Sequence, residues 1–197
     1  MIAKSRIKSL LLAVVFLATA TGVWAEENDF TTLLEESTLR FTVPEGWIPS
    51  TNSYHSLQAD SVFVTPDGAA EMHVLIRPLG RIKIDYDDPH GSAPNPNEMF
   101  PLLFQSMTET LSDHTDTKNQ EYRTPDAIKQ YNADWAAASV FNVKDEISNI
   151  YEQGLVLAIH RHKKADAYII FLSNDLSAVK EAVTAGRKSL WFIDEAQ

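Results

Sequence analysis

Apolar and polar residues alternate over 38–43, where Leu39, Phe41 and Val43 interleave with Thr38, Arg40 and Thr42. That is the period-2 pattern of a strand buried on one face. Pro44-Glu45-Gly46-Trp47 ends it, because proline cannot donate to a ladder and glycine accepts a positive φ. Two further strands are predicted at 61–65 and 71–77, and Pro66-Asp67-Gly68 between them is a turn that makes them antiparallel neighbours. On the second of these, His73 alternates with Met72 and Val74 and so points away from them.

The period then changes. Phe100, Leu103, Phe104, Met107 and Leu111 recur at steps of three and four, which predicts an amphipathic helix with Asn97 as its cap and Pro101 in its first turn. Residues 115–122 read as extended, and 135–143 as a strand with Trp135, Ala137, Ser139, Phe141 and Val143 on one side. Residues 150–162 and 167–173 flank Lys163-Lys164-Ala165-Asp166 and predict a hairpin. Both arms are almost continuously apolar, so the sheet they belong to is buried on two faces. A last helix over 175–190 is expected to cover the second face, with Leu176, Val179, Val183, Gly186 and Leu190 on one stripe and Asn174 or Asp175 accepting from its first amides. A glycine in that stripe weakens the helix but lets it come close to a sheet. Trp191-Phe192-Ile193 closes the chain as a short strand, and Trp47, Trp135 and Trp191 are assigned to the core.

Residues 1–25 stand outside this pattern and read as an export signal. Lys4, Arg6 and Lys8 form a positive start, 10–23 is an uncharged apolar run, and Val23-Trp24-Ala25 offers small residues for cleavage before Glu26. The run falls short of the roughly 20 residues that a membrane-spanning helix needs. The expected mature chain, 26–197, has no internal repeat or linker, so it is read as one domain with a long Pro-, Gly- and Asp-rich loop at about 79–97. Its predicted class is α+β: an antiparallel sheet of about six strands with helices on both faces.

Composition sharpens the picture in two respects. The net charge is −10, and the leader would take three positive and no negative charges with it, leaving −13. An acidic surface of that kind repels nucleic acid and anionic lipid, and no basic stripe offsets it. The chain has no cysteine, which excludes thiol catalysis, thiolate metal sites and a lipid-modified N-terminus. A domain of this length buries on the order of 70% of its unfolded surface and can stand without cross-links.

The order of elements resembles the PsbP/Mog1-like α/β/α sandwich family, on Phe41-Thr42-Val43-Pro44-Glu45-Gly46-Trp47 near the start and Tyr168-Ile169-Ile170-Phe171, a helix and Trp191-Phe192 near the end. What the resemblance implies is a small exported domain that binds or stabilises a partner without catalysis. The 79–97 insertion departs from the compact pattern, and no functional residues of the family match here.

Candidate chemistry is sparse. His160 and His162 are two apart on a predicted strand, hence on one side, where both could reach one metal ion. Asp85, Asp87, Asp88 and His90 offer hard ligands in the long loop, although Pro89 breaks the spacing of a calcium loop. His55 near Asp60, and His114 between Asp113 and Asp116, are lone histidines beside carboxylates. No G-x-S-x-G elbow, H-E-x-x-H or phosphate-cradling glycine loop is present. The expectation is therefore an exported, monomeric, non-enzymatic binding or accessory protein of the periplasm or extracellular space, whose partner is an envelope or secreted protein. It is expected to bind no nucleic acid and to keep no membrane insertion after signal cleavage. Two alternatives stay open: a divalent-metal protein using the 160/162 pair or the acidic loop, and a hydrolase assembled from scattered Ser, His and Asp.

Overall fold

The computed structural model describes residues 21–51, 57–83 and 94–194, with side chains from residue 29 onward. In chain order the elements are helix α1 (Thr21–Glu36), strands β1 (Leu39–Phe41), β2 (Ile48–Ser50), β3 (Ser61–Val64) and β4 (Ala70–Pro78), helix α2 (Phe100–Leu111), strand β5 (Lys118–Glu121), helix α3 (Thr124–Tyr131), strands β6 (Trp135–Asn142), β7 (Gln153–Arg161) and β8 (Ala165–Ser173), helix α4 (Lys180–Gly186) and strand β9 (Leu190–Phe192).

Seven strands form one sheet in the order β2-β3-β4-β8-β7-β6-β5, and every neighbouring pair is antiparallel. A separate two-stranded sheet joins β1 to β9, with Leu39 opposite Phe192 and Phe41 opposite Leu190. The fold is α+β, as the alternation of periods implied, with one more strand in the main sheet than the pattern suggested. The extra one, β2, is Ile48-Pro49-Ser50 on the outer edge, where a proline is tolerated because its missing N–H faces no ladder.

The near-continuous apolar runs of β7 and β8 have the consequence expected of them. Leu155, Leu157 and Ile159 on β7 and Ile169 and Phe171 on β8 enter one core with Met72, Val74 and Ile76. Val156, Ala158, Ile170 and Leu172 enter a second core on the opposite face. Leu33 of α1, Ala127 and Tyr131 of α3, and Val183 of α4 cover the first face. Phe104 and Leu111 of α2 cover the second. The C-terminal helix thus covers the face opposite α2, as expected, and shares it with two other helices.

Local chemistry explains the remaining differences. Helix α4 spans Lys180–Gly186 rather than 175–190, while Asp175 Oδ1 accepts from the amides of Ser177 and Ala178 as expected, in the turn that precedes it. Leu190 belongs to β9, opposite Phe41. Gly186 does make the close approach: a Cβ built there would stand 2.5 Å from Phe171 Cε1. Asn97 does not cap α2; its side-chain oxygen accepts from Lys163 N (2.6 Å), and Asn95 Oδ1 accepts from Asn97 N in the turn before the helix. Helix α3, unforeseen, opens with Pro125 in its first turn and stops at Asn132 in the left-handed conformation (φ 51°). Among the described residues no helix is long and apolar enough to cross a membrane.

Candidate functional site

Pleating sorts the residues of the central strands into two classes. The face under α1, α3 and α4 is apolar, whereas the face under α2 carries Glu71, His73 and Arg77 from β4, Asp166 and Tyr168 from β8, and His160 from β7, all of which alternate with residues of the opposite core. Register makes neighbours of them: Arg77 lies opposite Asp166, and Asp166 lies opposite His160.

Two hydrogen-bonded groups of ionisable side chains result. Asp166, 1% exposed, accepts at Oδ1 from His160 Nδ1 (2.7 Å) and at Oδ2 from Arg77 Nε (2.9 Å), with Arg77 Nη2 on the same oxygen. A carboxylate has only lone pairs to offer, so the proton lies on the histidine nitrogen. Arg77 Nη2 also donates to Pro96 O, which ties the residues before α2 to the sheet. The His160 ring stacks on Phe100 at the start of α2, centroids 4.1 Å apart, and Phe100 and Phe104 both pack on Trp135. The second group is His73 Nε2 against Glu71 Oε2 at 3.1 Å, with both side chains buried. Burial of such groups is tolerated only when they are paired.

One helix cannot span a sheet of seven strands, and α2 leaves a cleft on either side. Between α2 and β4 lies a cleft of about 420 Å³, lined by Leu75, Arg77, Leu103, Met107 and Tyr168 among others. Burial, with Asp166 adding to it, pushes the Tyr168 phenol far above its usual range, and Arg77 partly opposes the shift. Asp60 is at the same cleft; burial raises its carboxyl above the usual range, against a hydrogen bond from Ile76 N that lowers it. Between α2 and the β5–β6 edge a more polar cleft of about 580 Å³ is lined by Thr108, Asn119, Gln120, Glu121 and Trp135 among others. There Trp135 Nε1 donates to Glu121 (2.7 Å) and Ser139 Oγ to Asn119 (2.6 Å).

The residues singled out from sequence fare unequally. His160 and His162 do not continue along one pleat. Strand β7 ends at Arg161, Lys163 takes φ 60°, and His162 stands exposed in the turn with its amide on Asp134 Oδ2. Asp85, Asp87, Asp88, His90 and His55 lie outside the described residues. His114 is exposed at the rim of the polar cleft, and Asp113 beside it is held below the usual carboxylate range by hydrogen bonds from Thr115. His73 faces away from Met72 and Val74, as its alternation implied. Among the described residues no group of three or more His, Asp or Glu side chains is placed to hold a metal ion.

Sequence reasoning missed Arg77, Asp166, Glu71 and Tyr168. The signal was present: a charged residue inside a continuously apolar strand, such as Asp166 before 167–172, has to find a partner across the ladder.

No protein-family model matches the chain, and no curated protein does. Among solved structures, the solution structure of cyanobacterial PsbP (CyanoP) from Synechocystis sp. PCC 6803 is similar at 13% identity, covering 80% of this chain and 88% of that one, with a TM-score of 0.37.

Proposed function

We propose that this chain is an exported, non-enzymatic binding or accessory protein that engages an envelope or secreted partner through the α2 side of its sheet. The observation that carries the binding reading is the division of labour between the two faces. One face is spent on an apolar core, while the other holds paired ionisable groups and two clefts flanking a single helix. Open concave surfaces with a few convergent polar groups are where proteins hold ligands. Leu102 of α2 is 62% exposed and offers an apolar contact. In support of a non-catalytic role, the imidazole of His160 is committed to Asp166 and stacked on Phe100, which fits an architectural imidazole better than a proton shuttle. Export rests on the basic start, apolar run and small residues of 1–25.

The test places a photo-crosslinking amino acid at 102 in the full-length chain expressed in a bacterial envelope. A reproducible adduct in the periplasmic fraction, dependent on residues 1–25 for location and on irradiation for formation, is the expected result. Retention in the cytoplasm would overturn export. No adduct, together with turnover of generic esters by the purified protein, would overturn the binding reading in favour of a hydrolase.

A further inference from the structure

The wall of the cleft between α2 and β4 contains a hydroxyl that the fold leaves unused. Tyr168 is 5% exposed, and its Oη, closed to solvent, has no hydrogen-bond partner among the described residues. Buried polar atoms are normally paired, and an exception calls for a reason. Its neighbour Arg77, with a side chain 30% exposed, commits Nε and Nη2 to Asp166 and Pro96, which leaves Nη1 open to solvent as a second donor. Around these two donors the cleft presents Leu57, Leu75, Leu103 and Met107, with Gln58, Ser106 and Thr110 as polar members of its lining. Its volume of about 420 Å³ falls in the range that holds small ligands.

Charge narrows the class of occupant. Asp166 already balances Arg77, the Asp60 carboxyl stands on the same wall, and the chain as a whole carries −10. A carboxylate or phosphate entering here would meet more negative charge than positive. A neutral acceptor would not, and it would supply the partner that the Tyr168 hydroxyl lacks. Building on the binding reading above, we infer that this cleft takes a small uncharged amphiphile, with its apolar body against Leu75, Leu103 and Met107 and an ester or amide carbonyl oxygen accepting from Tyr168 Oη and Arg77 Nη1.

The experiment titrates the full chain and Tyr168→Phe with octanamide, monooctanoylglycerol, N-acetyl-leucinamide and octanoate, following the methyl signals of Leu103 and Met107 by NMR. Tyr168→Phe keeps the ring and removes only the unpaired hydroxyl, so it folds. The expected result is that a neutral carbonyl compound shifts those methyls, binds about fivefold or more weakly to Tyr168→Phe, and outcompetes octanoate. Tighter binding of monooctanoylglycerol identifies a lipid ester, and tighter binding of N-acetyl-leucinamide a peptide amide. Equal affinity in the variant, preference for octanoate, or silent methyls with every probe overturns the inference. A crosslinked envelope partner alongside silent methyls would retire the cleft and leave the binding reading standing. Octanamide binding without any crosslinked partner would do the reverse.

Discussion

Asp166 Oδ1 and His160 Nδ1 lie 2.7 Å apart, with both side chains almost wholly buried, and the other oxygen of Asp166 is taken by Arg77. A carboxylate shared in this way is the keystone of the polar face. Asp166→Ala should lower the unfolding free energy by about 3 kcal/mol, because it strands the buried imidazole of His160 and takes from Arg77, whose side chain is 30% exposed, its counter-charge. Asp166→Asn, which retains an acceptor, should cost less. Urea denaturation of the three proteins decides it, and a variant midpoint indistinguishable from wild type for Asp166→Ala would show that the group is not structural.

Gly186 of α4 lies directly against the Phe171 ring of β8. Gly186→Ala should destabilise by about 1–3 kcal/mol, since the ring it meets is itself locked in the core and overpacking has nowhere to relax. Gly80→Ala, where nothing lies within 4 Å, is the matched control and should be neutral. Combining Gly186→Ala with Phe171→Leu should recover part of the loss, so thermal melts of the double variant report whether the clash is the cause.

Asp60 sets a pH dependence with a definite sign. Its folded pKa is raised above the ordinary value of 3.8, chiefly by burial, so the folded state holds the proton to higher pH than the unfolded chain does. Stability contributed by this group therefore falls as pH rises from about 3.8 through the raised value. Asp60→Asn keeps an acceptor for Ile76 N and has no proton to lose. Relative to wild type it should gain stability between about pH 4 and pH 7, and urea midpoints at the two pH values should diverge in its favour.

Trp47 Nε1 donates to Ala182 O (3.3 Å), and its ring lies 6.1 Å from that of Phe171. Trp47→Ala should cost about 3–5 kcal/mol, combining cavity and lost transfer energy. Trp47→Phe should cost less, since it forfeits the hydrogen bond and part of the ring. Chemical denaturation followed by circular dichroism separates the two.

Legibility followed the range of the forces involved. The strands and α2 could be read because their periodicity is local, and the two-faced burial of β7 and β8 followed from runs such as 167–172 that leave no polar side. The three-residue β2 and the eight-residue α3 carry too few residues for a period to emerge. The polar face escaped for a different reason. Arg77 and Asp166 are 89 positions apart, and only the β4–β8 register brings them together. His160 was noticed but paired with the wrong neighbour, because spacing along the chain is blind to where a strand ends. Tyr168, in an apolar run that any core would claim, carries no sign that its hydroxyl goes unmatched.

The β1–β9 pair has a consequence in time. Its partners, Leu39 and Phe192, bracket every strand of the main sheet, so the ribbon is a contact of very long sequence separation. Closing such a loop is slow relative to hairpin and helix formation. A chain emerging N-terminus first can assemble β3 with β4, yet it cannot bury Leu39 until residue 192 has arrived. The β1–β9 ribbon is therefore closed only once the C-terminal strand is available.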